Sequence, residues 1–89
     1  MIRAILFFSG RVQGLGFRFT TNEIAKTLAV KGTVENCLDG RVKIVVEAEP
    51  IEIDCFIERV NTSMAGRIKQ MERYESEPSH EFENFSVRG

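Results

Sequence analysis

Tryptophan is absent from this chain, histidine occurs once, and cysteine and proline occur twice each. With His80 alone, and with Cys37 and Cys55 far apart and no CxxC spacing, a thiolate–imidazole metal cage cannot be assembled. The two cysteines read as free structural thiols. No apolar run approaches the ~20 residues of a membrane span. The start, Met1-Ile2-Arg3, lacks the basic region and cleavage pattern of a signal peptide, so the chain reads as cytoplasmic with no membrane role. A basic excess is missing as well. Twelve Lys and Arg against thirteen Asp and Glu leave a formal net charge of −1, which argues against general nucleic-acid binding. The aromatic strand signature of RNA-binding domains of similar architecture is also missing.

What is present is an ordinary globular composition, 43% hydrophobic and 28% charged, over 89 residues, a length that supports one core and hence one domain. Charge is unevenly spread: residues 1–31 carry Arg3, Arg11, Arg18, Lys26 and Lys31 against Glu23 alone, and the acidic side chains gather after them. Ile2 to Phe8 is an apolar run with β-branched and aromatic members, too short for a buried helix, and reads as a central strand. From Phe17, the residues Thr21, Ile24, Ala25 and Leu28 recur at helical spacing, and Gly32 stands where a helix C-cap would. Asp39-Gly40 is a hairpin turn between two candidate strands, the second with Val42, Ile44, Val46 and Ala48 alternating against Lys43, Val45 and Glu47.

Pro50 opens a second helix, with Glu52 and Asp54 favourably placed in its first turn. Ile53, Phe56, Ile57, Val60 and Met64 form its apolar stripe, and Gly66 ends it. Residues 67–77 are assigned to a strand because the helix must return to the sheet. Phe82, Phe85 and Val87 suggest a short terminal strand, and His80 an exposed turn. The order βαββαβ predicts an α+β, ferredoxin-like sandwich: an antiparallel sheet with two helices on one face. Right-handed crossovers put the third strand between the first two, which brings the loop after the first strand near the beginning of the second.

That loop is Ser9-Gly10-Arg11-Val12-Gln13-Gly14-Leu15-Gly16-Phe17-Arg18. A glycine-rich turn from strand into helix exposes successive backbone N–H groups where the helix dipole is positive, a setting that suits an anion. It is not a Walker A loop, which ends in Gly-Lys-Ser/Thr, nor a dinucleotide fingerprint, because Gly14-Leu15-Gly16 lacks the third glycine. Arg18 in the first helical turn can fork onto two phosphate oxygens. The same spacing would also serve a plain tight turn with Arg18 on the helix surface, and spacing alone does not separate the two.

The segment from Gly10 to Arg18 resembles the signature of the acylphosphatase family, with Leu15 where the family usually has Val. Gly32-Thr33-Val34-Glu35-Asn36, followed by Asp39-Gly40-Arg41-Val42, is similar to that family's second motif. Thr33 replaces a usual aromatic residue, and Glu35 a basic or neutral one. The resemblance implies hydrolysis of carboxyl–phosphate anhydrides to carboxylate and inorganic phosphate, by a monomer, on a small acyl phosphate, with no metal and no other cofactor. It implies that Arg18 is the phosphate-binding catalytic arginine and that Asn36 orients the attacking water. The amides of Arg11, Val12, Gln13, Gly14, Leu15, Gly16 and Phe17 would form the phosphate-binding loop. The alternative is a non-hydrolysing module that binds phosphate or an acyl phosphate on the same fold. The inventory agrees with hydrolysis, since an acyl phosphate expels a carboxylate of low basicity and needs no general acid.

Overall fold

A computed structural model of the chain describes residues 1–14 and 16–89. Seven elements follow one another: β1 (Ile2–Gly10), α1 (Phe17–Ala25), β2 (Lys31–Asn36), β3 (Val42–Ala48), α2 (Pro50–Ser63), β4 (Ile68–Ser76) and β5 (Phe85–Arg88). The strands form one sheet in the order β4-β1-β3-β2-β5, so β3 does lie between β1 and β2. β1 pairs on both sides, antiparallel to β3 and to β4, as its apolar run from Ala4 to Phe8 predicts for a central strand.

The core lies between the sheet and the two helices. Ala4, Leu6 and Phe8 of β1, Val34 of β2 and Val42, Ile44, Val46 and Ala48 of β3 point into it and are fully buried. From α2, Ile53, Phe56, Ile57, Val60 and the following Met64 meet them along the expected stripe. Phe17 of α1 packs on Phe8 with ring centroids 5.4 Å apart, and Phe56 packs on Phe85 at 5.5 Å. Pro50 occupies the first turn of α2, where its missing N–H leaves no bond unmade. Asp54 lies just beyond that turn and pairs with Arg73 of β4 at 3.1 Å.

Three further expectations are corrected. The sheet is mixed rather than antiparallel, because β5 runs parallel to β2, with Gly32 opposite Phe85 and Val34 opposite Val87. The chain leaves β4 at one edge of the sheet and reaches β5 at the other through residues 77–84, so Phe82 belongs to this crossover and not to a strand. Gly32 is not a helix cap. α1 stops at Ala25, the N–H groups of Thr27 and Leu28 turn back to Ile24 and Ala25, and Gly32 lies within β2 at φ 147°. A Cβ there would overlap the Val45 carbonyl, so only glycine lets the two strands approach.

Glu47 alternates with the core residues of β3. It faces away from the helices, opposite Arg3 in the register, but the crossover covers it and leaves it 2% exposed. His80 is exposed in the crossover, as expected, and carries a positive φ of 60°.

Candidate active site

At the end of β1 the β1–β4 register shifts between Ser9 and Gly10, and the Arg11 N–H donates to the Arg67 carbonyl at 2.8 Å. The chain then turns into the loop before α1. Val12 is buried and anchors this turn in the core. Gly14 and Gly16 adopt left-handed conformations, φ 76° and 75°, which only glycine takes readily, and a Cβ at either would meet no atom within 4 Å. The loop is glycine-rich because of its backbone shape and not because of crowding.

α1 begins without a side-chain cap, and its first hydrogen bond is Thr20 N–H to the Gly16 carbonyl at 2.9 Å. The N–H groups of Val12, Gln13, Gly14, Gly16, Phe17, Arg18 and Phe19 therefore have no acceptor among the described residues. Unsatisfied donors at a helix start, with the dipole behind them, are an anion site by construction. One expectation fails here. The Arg11 N–H, expected in the phosphate-binding loop, donates to the Arg67 carbonyl instead. Leu15 lies outside the described residues.

Opposite the loop, β2 ends at Asn36, paired with Val42 across the hairpin. The turn is closed by Cys37 N–H to the Arg41 carbonyl (2.8 Å) and Gly40 N–H to the Cys37 carbonyl (3.2 Å). Asp39 accepts from the Arg41 backbone N–H at 3.1 Å and from its guanidinium at 2.8 Å, and both hold its carboxyl below the usual carboxylate range. The Arg41 guanidinium also lies 4.2 Å from the centre of the Phe7 ring. Gln13 joins the two motifs: its side-chain amide donates to the Cys37 carbonyl at 2.8 Å and to the Arg41 carbonyl at 2.9 Å. This bond pair fixes the glycine loop to the hairpin that carries Asn36.

Between them is a cleft of about 390 Å³ lined by Val12, Gly14, Gly16, Phe17, Arg18, Phe19, Asn36, Val87 and Gly89. Arg18 and Asn36 thus open into one space. The Arg18 guanidinium donates one hydrogen bond to the Gly89 carbonyl at 3.0 Å, which steadies it at the cleft wall. Thr33 is buried in the sheet, and Glu35 sits opposite Lys43. Glu35 does not line the cleft, as the alternation of side chains along β2 requires. The residues that sequence reasoning missed are Val87 and Gly89, which reach the site only because β5 adds to the β2 edge. Phe19 carried a signal, since it stands apart from the apolar stripe of α1.

An acylphosphatase family model matches residues 4–87. The acylphosphatase of Lactobacillus gasseri is 38% identical over 81 residues, covering 89% of each chain. That of Paenarthrobacter aurescens is 34% identical over 87 residues, covering 97% of this chain and 93% of its own. The crystal structure of acylphosphatase from Bacillus subtilis superposes with a TM-score of 0.92 at 30% identity, covering all of both chains.

Proposed function

Because the chain belongs to the acylphosphatase family and hydrolyses acyl phosphates, we propose how the residues of this cleft divide the work. The phosphoryl group sits in the curl of N–H groups from Val12, Gln13, Gly14, Gly16 and Phe17, and Arg18 clamps its remaining oxygens. Both donors act where negative charge spreads over the equatorial oxygens, which is the main demand of phosphoryl transfer. They are held before substrate arrives: the amides by the turn that Val12 and Gln13 anchor, the guanidinium by Gly89. Little reorganisation is then needed at the transition state.

Asn36 holds the water in line with the scissile bond. Its carboxamide can accept from the water and orient a lone pair toward phosphorus, yet it is not a base, so the proton passes to a phosphate oxygen. The water oxygen–phosphorus bond forms, the phosphorus–acyl oxygen bond breaks, and the carboxylate leaves with the electron pair. Its low basicity removes the need for an acid, and among the described residues no side chain that lines the cleft is a carboxylic acid, histidine, cysteine or tyrosine. In this reading a single chain acts in the cytoplasm on a small diffusible substrate and releases inorganic phosphate.

The observation that carries this assignment is the opening of Arg18, Asn36 and the unpaired amides into one cleft. Hydrolysis of benzoyl phosphate tests it. Turnover is expected to persist in the presence of a chelator, to be inhibited competitively by inorganic phosphate, and to fall about 10²-fold or more in Arg18→Ala and in Asn36→Ala. A variant that keeps wild-type turnover removes its residue from the mechanism.

A further inference from the structure

We propose that Phe19 and Val87 form a subsite for the acyl half of the substrate, selecting uncharged acyl groups with a flat apolar body over small or charged ones. The inference rests on the hydrolytic reading of the cleft and deepens it. Phe19 lies in the first turn of α1, directly after Arg18, and is 69% exposed; Val87 of β5 is 42% exposed. Large side chains this open to solvent are found elsewhere among the described residues, at Met1, Leu38, Ile51 and Tyr74, but none of those lines the cleft.

The polar groups of the cleft are already assigned. The loop amides and Arg18 face the phosphoryl group, and Asn36 faces the water. An acyl group that leaves the cradle meets what remains of the lining, the Phe19 ring and the Val87 side chain, over a floor of buried Val12. Among the described residues Arg18 is the one charged side chain in the lining, and no acidic or second basic side chain is there to bind a charged far end of an acyl chain. An aromatic ring set against Phe19 keeps the offset or edge contacts that such pairs prefer, whereas an acetyl group is too short to reach.

The test compares benzoyl phosphate with acetyl phosphate in wild type and Phe19→Ala, alongside calorimetric binding of benzylphosphonate and methylphosphonate, which cannot be hydrolysed. Phe19→Ala keeps its backbone N–H and removes an exposed ring, so folding is not at stake. Its kcat/KM for benzoyl phosphate is expected to fall about fivefold to tenfold, the scale of one aromatic contact, through KM and not kcat. Its kcat/KM for acetyl phosphate and its inhibition by inorganic phosphate should stay within about twofold. Val87→Ser should lower benzoyl phosphate use in the same sense. Equal losses on both substrates, no loss on either, or equal wild-type affinity for the two phosphonates overturns the subsite. If the phosphonate preference is present and vanishes in Phe19→Ala while neither substrate is hydrolysed, the subsite stands and the hydrolytic reading falls. If both substrates turn over without preference, the subsite alone falls.

Discussion

Replacing Glu47 by Gln should flatten the acid dependence of this protein's stability, because one buried carboxylate fastens the crossover that delivers β5 to its edge. Glu47 accepts from the Arg3 guanidinium at 2.8 Å, the Ser79 N–H at 2.7 Å, the His80 N–H at 3.0 Å and the Ser79 hydroxyl at 3.0 Å. Burial pushes its carboxyl up, but these donors outweigh burial and draw it down from 4.5 to about 2. At about 1.4 kcal/mol per unit, that displacement is worth about 3 kcal/mol. The folded value lies below the unfolded one, so this stability is fully present above about pH 4.5 and is lost as pH falls through about 2. Glu47→Gln keeps the volume but loses the charge and turns an NH₂ toward donors, the Arg3 guanidinium and the Ser79 and His80 N–H groups, so it should be less stable than wild type at pH 6 by about 2–3 kcal/mol. Urea unfolding followed by far-ultraviolet circular dichroism, from pH 2 to 6, reads both effects. The difference between the two proteins should shrink toward pH 2, because protonation removes from wild type what the substitution removes at every pH. Asp39, also held low by its Arg41 partner, is common to both proteins and cancels in the comparison; Glu81 shares Arg3 and Ser79 with Glu47, and loss of the Glu47 charge draws its carboxyl lower still in the variant. Parallel stability curves over the whole range would refute the account.

The same carboxylate marks where the sequence stops being readable. Alternation along β3 correctly puts Val42, Ile44, Val46 and Ala48 in the core, and by the same rule it puts Glu47 outside. Nothing local to β3 announces that residues 77–84 will cross that face, and the donors at Ser79 and His80 come from a segment with no period. Strongly periodic pieces are legible because one element's pattern states which face is buried: the α2 stripe from Ile53 to Met64 and the Asp39-Gly40 turn both stand as expected. β5 is only four residues long and can be paired in either direction without changing its pattern, so its parallel register and the approach of Val87 to the cleft had no local sign. The site divides in the same way. Strand order and crossover handedness bring the glycine loop to β2, but from sequence they place it at the beginning of that strand, whereas the cleft opens at Asn36 at its end; the loss of the Arg11 amide depends on a bulge at Ser9 and Gly10 and on a carbonyl at Arg67.

Gly32→Ala should destabilise the fold by at least about 2 kcal/mol, since the added methyl overlaps the Val45 carbonyl and the φ of 147° disfavours any side chain; a urea midpoint close to wild type would show that β2 and β3 can separate without cost. Gln13 offers a sharper test of how the site is held together. Its amide donates to two carbonyls, those of Cys37 and Arg41, and accepts from no described residue, so the brace depends on donors and not on volume. Gln13→Ala removes two hydrogen bonds worth about 0.5–1.5 kcal/mol each and frees the loop relative to Asn36; kcat/KM for benzoyl phosphate should fall about tenfold, with weaker inhibition by inorganic phosphate. Gln13→Glu has the same shape but sets a carboxylate against two carbonyl oxygens, beside the amides that must receive a phosphate dianion. It should therefore be the worse enzyme of the two at neutral pH, and it should regain activity as the carboxyl takes up a proton on acidification and can donate once. If volume were what mattered, the order would reverse, with Gln13→Glu close to wild type and Gln13→Ala impaired, and a steady-state pH profile of the two variants decides between them.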